Sequence, residues 1–203
     1  MKKGLAIVAL IVVALTAYYV IFRKRSSGPE IKPVPIALKK HSDAFNMRID
    51  KMVNAYLSIK DAFVEDDTTS VKLHSKTLIT LLDSIPVDEM KNDNASINES
   101  AKSSISDIRL NAVSLLSQTD ITEMRQDFRM ITEMMYPGFF KTINYEGPKL
   151  YLQNCPMAFG EDRPADWISN TIQVVNPYMG KHHPAYKSSM LHCGEVKDTI
   201  KAQ

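Results

Sequence analysis

The residues best suited to chemistry in this sequence are its only two cysteines, which lie in two short segments near the end of the chain. Met157 follows Cys155 by two residues, and Cys193 is preceded by Met190 and His192. Thiolate, thioether and imidazole groups together are the ligands that select a soft metal ion such as copper(I). The two segments therefore form a candidate metal site.

The spacing within each segment favours a shared direction for its two sulfur atoms. Cys155 and Met157 are two residues apart, and such side chains leave an extended segment on the same face. Met190 and Cys193 are three residues apart, which makes them neighbours on a helical turn. We predict these four residues as metal ligands, with His192 as an alternate ligand. Copper(I) is the expected metal, and zinc is the alternative.

The same two cysteines are also suited to a disulfide. A Cys155–Cys193 bond would close a loop of about forty residues and contribute roughly 3–4 kcal/mol in the chain-entropy model. A tail rich in loops needs packing, a disulfide or a metal ion to hold it. The residue types alone leave the metal site and the disulfide open.

Two other arrangements carry less weight. His182 and His183 are adjacent in a predicted turn, where neighbouring imidazoles point apart. We therefore favour solvated loop histidines, and whether either one contributes to the metal site stays open. Catalysis by Cys155 is disfavoured because Pro156 has no backbone N–H to serve as an oxyanion donor. We therefore do not expect an enzyme.

A helical scaffold is expected to position these segments. Apolar residues at three- and four-residue intervals predict four helices, at 45–63, 71–85, 97–115 and 121–135. Asp67 or Thr68 is suited to cap the second helix, Ser96 the third and Asp120 the fourth. Pro86 and Pro137 follow the ends of the second and fourth helices. Four helices with short connections predict an all-α fold, a four-helix up-and-down bundle.

The sequence changes character after Tyr145. Five prolines punctuate the tail, which shows little helical periodicity and is expected to be rich in loops. Residues 149–153 alternate loosely and predict one short strand. Trp167, the only tryptophan, is expected to shield the site from solvent.

The start of the chain predicts a membrane anchor. Two lysines precede an apolar run at 4–22, which is long enough to cross a bilayer as a transmembrane helix. An uncleaved anchor is favoured because no small-x-small cleavage site precedes the basic cluster at 23–25. Positive charge is nearly balanced on the two sides of the run, so it does not decide the orientation.

These features predict the organisation of the chain and exclude some partners. We expect a membrane anchor at 1–22, a linker at 23–36, a helical bundle at 37–145 and a candidate metal-binding region at 146–203. A net charge of +2 without a basic surface pattern argues against nucleic acid. Glycine is scarce, and no glycine-rich phosphate loop precedes a helix.

Four motifs of the tail together resemble a known family. They are Cys155-Pro156-Met157, Asp166-Trp167-Ile168-Ser169, Asn176-Pro177-Tyr178-Met179-Gly180 and Met190-Leu191-His192-Cys193-Gly194. The pattern CPM … NPYxG … MxxCG resembles a family of uncharacterised bacterial periplasmic domains, which also occurs at the carboxyl end of copper/silver efflux adaptors of the CusB type. The resemblance extends over about residues 40–200 and is most specific in the last fifty.

The resemblance implies a domain that faces the periplasm and takes part in copper or silver handling, with Cys155, Met157, Met190 and Cys193 as ligands. We therefore expect a single-pass inner-membrane protein that binds copper(I) and holds it or transfers it, with a metal efflux system as partner. The alternative is a non-enzymatic extracytoplasmic structural or protein-interaction module with a Cys155–Cys193 disulfide.

Overall fold

The computed structural model describes residues 41–92 and 95–202. Its helices are α1 (Asp43–Val64), α2 (Thr68–Leu82), α3 (Ala95–Ser117), α4 (Ile121–Glu133) and the short α5 (Phe140–Thr142). A 3-10 turn (Val87–Asn92) follows α2, and a π-helical turn (Met134–Phe139) joins α4 to α5. The four long helices that apolar periodicity predicts are thus present.

Side-chain caps define where the helices begin. The Asp67 carboxylate accepts the backbone N–H groups of Thr69 and Ser70 at the start of α2, and Asp120 does the same at the start of α4. Both predicted caps are confirmed. They satisfy N–H groups that have no partner within the first helical turn. By contrast, α3 begins at Ala95, so Ser96 lies within its first turn rather than at the predicted cap position.

The tail contains a three-stranded antiparallel sheet. Its strands are β1 (Leu150–Cys155), β2 (Ala165–Ser169) and β3 (Glu195–Ile200), with the order β2-β1-β3. Cys155 pairs with Ala165 of β2, and Asn154 pairs with Glu195 of β3. The central strand β1 therefore pairs with β2 from the middle of the tail and with β3 from its end.

The predicted all-α fold with a loop-rich tail is wrong, because four long helices are combined with this sheet. The strand predicted at 149–153 is confirmed as β1, but β2 and β3 were not predicted. β2 is nearly all buried and β3 is mostly exposed, so neither shows the apolar–polar alternation that marks a half-buried strand. Their pairing with β1 depends on contacts distant in sequence.

Helices and sheet share one apolar core, in which an aromatic series runs from α1 to β2. The ring of Phe128 lies 5.0 Å from Tyr56 and 6.0 Å from Tyr178 between centroids, and Tyr178 lies 6.0 Å from Trp167. The hydroxyl of Tyr56 also accepts the backbone N–H of Ile168 at 3.1 Å. The sheet is thus fixed to the helices by both packing and a buried hydrogen bond.

Among residues 41–92 and 95–202, no helix combines the length and the hydropathy needed to cross a membrane. The anchor expected at 1–22 and the linker expected at 23–36 lie outside the residues that the structure describes.

Candidate metal centre

The two cysteines meet at one end of the sheet. Cys155 is the last residue of β1, and Cys193 lies two residues before β3. Because these strands are antiparallel, with Asn154 opposite Glu195, the end of β1 and the start of β3 are adjacent. Both cysteines are free thiols, Cys155 buried and Cys193 half-buried. The structure therefore brings together two residues that are separated by a long stretch of sequence.

The surroundings of Cys155 shift the pKa of its thiol in opposite directions. Burial raises the pKa of the Cys155 thiol, and the neighbouring Cys193 raises it further, whereas hydrogen bonds from the Met157 backbone and the Asn176 side chain lower it. Burial disfavours the thiolate, and the two donors stabilise it. A cation that binds the sulfur would offset the burial penalty directly.

Each predicted thioether lies in a turn next to its cysteine. Met157 and Met190 are half-buried and pack against the core. The carbonyl of Met157 accepts the N–H of Gly160 at 3.2 Å, and the carbonyl of Met190 accepts the N–H of Cys193 at 3.0 Å. The predicted sulfur residues thus occupy the two turns that flank the thiol pair.

His192 is exposed and contacts a different loop. Its Nδ1 lies 2.7 Å from the carbonyl oxygen of Val174. Because a carbonyl only accepts, Nδ1 is the donor in this contact. The residue lines a surface groove of about 610 Å³ together with Glu65 and His74.

The adjacent histidines organise the loop before Met190. Nδ1 of His183 accepts the backbone N–H groups of Ala185 and Tyr186, both at 3.2 Å. Burial lowers the pKa of His183. The backbone N–H of His182 donates to Asp66 at 2.9 Å. These contacts hold the loop in place without bringing either imidazole into the thiol pair.

Asn176, which the sequence analysis did not single out as a site residue, connects the cysteine turn to the preceding loop. Its side chain is fully buried. Oδ1 accepts the N–H groups of Tyr178 at 2.9 Å and Met179 at 3.2 Å, and Nδ2 donates to the Cys193 carbonyl at 2.7 Å. The Asn-Pro pair in the sequence predicts a turn. The bond to the Cys193 carbonyl could not be predicted, because the two residues are distant in sequence.

A buried ion pair clamps the other end of this loop. Nε of Arg125 donates to the Pro177 carbonyl at 2.8 Å, and its Nη2 donates to Asp66 at 2.5 Å. Burial lowers the pKa of Arg125, while the Asp66 carboxylate acts to raise it. Gly180 has a φ of +59°, and a Cβ there would lie 2.8 Å from the Asp66 carboxylate. The loop is therefore seated on α4 and on the α1–α2 junction.

Trp167 and Gly194 shape the turn that carries the second thiol. Gly194 has a φ of +141°, and a Cβ there would lie 2.4 Å from the Asn154 carbonyl and 3.1 Å from the Trp167 ring. Only glycine fits this close approach without strain. Trp167 is fully buried against the residue that follows Cys193.

Other ligand types are not gathered around this pair. Within the described ranges 41–92 and 95–202, no three His, Cys, Asp or Glu side chains form a group that could hold a metal ion. A zinc site of four such ligands is therefore not formed by the described residues. Of the predicted ligands, Met157 and Met190 remain in the described turns next to Cys155 and Cys193.

Comparison with known proteins identifies the helical part only. Residues 52–144 match the family model described as a protein of unknown function (DUF3347). This segment runs from α1 to beyond α5 and contains neither cysteine. An uncharacterised domain family is thus found, as the resemblance implied. The match does not extend to the CPM, NPYxG and MxxCG motifs or to adaptors of the CusB type. No curated protein and no solved structure matches the chain.

Proposed function

We propose that this protein is a membrane-anchored periplasmic protein that binds copper(I) through Cys155 and Cys193, and that it holds the metal or transfers it to an efflux system. The observation that carries the proposal is the meeting of the two thiols at the end of β1, one buried and one half-buried. A half-buried methionine lies in each adjoining turn. The membrane, periplasm and efflux parts of the proposal come from the sequence features at 1–22 and from the tail motifs.

The binding step exchanges protons for the metal ion. Each thiol loses its proton, and one copper(I) ion is bound by two thiolates with the release of two protons. The hydrogen bonds from Met157 and Asn176 to the Cys155 sulfur remain available to the bound thiolate. Affinity is therefore expected to rise with pH, because the thiolate and not the thiol is the ligand.

Ligand softness favours copper(I) over zinc. Thiolate and thioether sulfur select copper(I), whereas zinc is usually held by four thiolate, imidazole or carboxylate ligands. The described residues supply only two such ligands here, together with Met157 and Met190 as soft neighbours. A site of low coordination number therefore suits copper(I) better.

Unequal burial of the two thiols suits transfer as well as storage. Cys155 is buried at the end of the central strand, and Cys193 lies in a half-buried turn. A ligand from a partner protein reaches Cys193 first. We therefore expect Cys193 to be the residue at which copper(I) enters and leaves, while Cys155 retains it.

A copper(I) titration of the reduced protein against a competing chelator tests the proposal. We expect one ion per chain, and a loss of affinity of at least a hundredfold in Cys155→Ser and Cys193→Ser, since a hydroxyl is a poor ligand for a soft ion. Unchanged binding in the double variant would exclude this site.

The methionines are tested by leucine substitutions, which preserve volume. Met157→Leu and Met190→Leu should weaken copper(I) binding more than zinc binding. Met47→Leu is a matched control, because Met47 is exposed on α1. Equal effects of all three substitutions would remove the thioethers from the ligand set.

A second candidate, a non-enzymatic structural or protein-interaction module with a Cys155–Cys193 disulfide, is favoured by the same adjacency of the two thiols. Such a bond would join the end of β1 to the turn before β3. Intact mass without reductant separates the candidates. A loss of two hydrogens in protein from the periplasm, with no copper(I) uptake after reduction, supports the disulfide.

A further inference from the structure

Asn176 is fully buried, and it binds the second cysteine segment beside the end of β1. Its Nδ2 donates to the carbonyl of Cys193 at 2.7 Å, and its side chain acts to lower the pKa of the neighbouring Cys155 thiol. Its backbone N–H donates to the carbonyl of Leu191 at 2.8 Å. One residue thus holds the turn at 190–194 against the end of β1.

The chemistry of the amide suits this double contact. An asparagine NH₂ group has two N–H donors, and its oxygen has two acceptor sites. The oxygen is already occupied by the N–H groups of Tyr178 and Met179. The amide nitrogen is therefore left for the cysteine segments: one N–H donates to the Cys193 carbonyl, and the second is the donor that the Cys155 thiolate would need.

Other contacts of the cysteine turn are weaker constraints on Cys193. The N–H of Cys193 donates to Met190, which lies in the same turn and fixes only its local shape. The bond between His192 and Val174 is exposed, where water competes with it. Asn176 supplies the buried contact to the carbonyl of Cys193 itself.

We propose that Asn176 is the positioning residue of the thiol pair: its amide holds Cys193 beside Cys155, so that the two sulfur atoms act on one ion. The use of the pair for copper(I) rests on the proposed function, but the positioning does not. A purely structural role would act through the Asn176 oxygen, which shapes the turn at 176–179. The proposed role acts through the nitrogen.

Asn176→Asp separates the two roles. The carboxylate keeps the acceptor for Tyr178 and Met179, but it has no donor and faces the Cys193 carbonyl and the Cys155 sulfur with a negative charge. Asn176→Ser is a second variant, whose hydroxyl can serve the turn but is too short to span both cysteine segments. Asn154→Ala is the matched control, since Asn154 adjoins Cys155 on β1 but its amide donates to β2.

The measurement is the effective concentration of the two thiols in the metal-free protein. In a glutathione buffer the thiols exchange with oxidised glutathione to give a protein disulfide and two reduced glutathione molecules. The equilibrium constant reports how well the fold holds the two sulfur atoms together. We expect Asn176→Asp and Asn176→Ser to lower it about tenfold, the factor for one net hydrogen bond. Asn154→Ala should leave it unchanged.

Circular dichroism is recorded alongside, so that the constant is compared between folded proteins. An unchanged constant in both folded Asn176 variants would overturn the positioning role, and so would an equal drop in Asn154→Ala.

A copper(I) titration of the same variants separates this inference from the proposed function. If the wild-type protein binds no copper(I) but the constant still falls in the Asn176 variants, the proposed function fails and the positioning role stands. If copper(I) binds tightly and both the constant and the affinity are unaffected by Asn176→Asp, the positioning role fails alone. Parallel losses of about tenfold in both measurements support the two together.

Discussion

The helical part and the sheet-containing part of this molecule are held together by different interactions. Helices α1 to α4 bury apolar residues at helical intervals, such as Leu78 and Ile108. The part from 150 to 200 depends on polar side chains that bind backbone carbonyls. The amide nitrogen of Gln153, for example, lies within 3.2 Å of the carbonyl oxygens of three consecutive residues, Thr171 to Gln173.

The difference shows how a segment of short strands and connecting loops can be fixed without a large core of its own. Buried side-chain donors such as Gln153 pair loop carbonyls that have no strand partner, because buried backbone groups must be paired. Such contacts tolerate fewer substitutions than apolar packing does, because a replaced side chain leaves its buried partner unpaired. The two parts should therefore respond differently to single changes.

The largest effect is expected at the buried ion pair of Arg125 and Asp66, which lies in the helical part and binds the backbone of the loop at 177–182. Asp66→Ala leaves the Arg125 guanidinium buried and without its carboxylate, which should reduce the free energy of unfolding by about 3 kcal/mol. Asp83→Ala removes a comparable partner from Arg109 on the exposed surface of the helical part, where the loss should stay below about 1 kcal/mol. Urea unfolding measures both. Equal losses would show that the ion pair does not hold the loop to the helices.

Two glycines give the next comparison. Gly180→Ala introduces a Cβ at positive φ, 2.8 Å from the Asp66 carboxylate, and should cost about 1–3 kcal/mol. Gly138 lies in the π-helical turn, where an added Cβ would meet no atom within 4 Å, so Gly138→Ala should change stability by less than about 1 kcal/mol. Thermal unfolding of the two variants checks the contrast. A larger loss at Gly138 would contradict it.

The smallest effect is expected in the thermal stability of the protein at acid pH. Hydrogen bonds from the Glu123 and Thr122 N–H groups lower the pKa of Asp120 at the start of α4. A lowered pKa in the folded state means that this cap stabilises the protein above the ordinary aspartate pKa and is lost as the pH falls through the folded value. Asp120→Asn caps at every pH, so its Tm should fall less than that of the wild type between about pH 5 and pH 2. Parallel Tm curves would refute this.

The helices could be predicted because their signals are local. Apolar spacing and the caps Asp67 and Asp120 lie within single elements. β2 and β3 could not be predicted in the same way, since one is buried almost throughout and the other is largely exposed. The neighbourhood of Cys155 and Cys193 depends on the pairing of β1 with β3, which is a contact between distant segments. The residue types pointed to the two cysteines, but Asn176 emerged only from its buried contacts.

The exposed edge strand next to the second thiol has a consequence for how copies of this protein meet. β3 pairs with β1 on one side and forms an edge of the sheet, and its side chains Glu195, Lys197 and Asp198 are exposed. Edge strands invite pairing with a second chain, and charged side chains discourage it. Dense charge on β3 therefore keeps the half-buried Cys193 of one molecule away from that of another, which favours chemistry within a chain over cross-linking between chains.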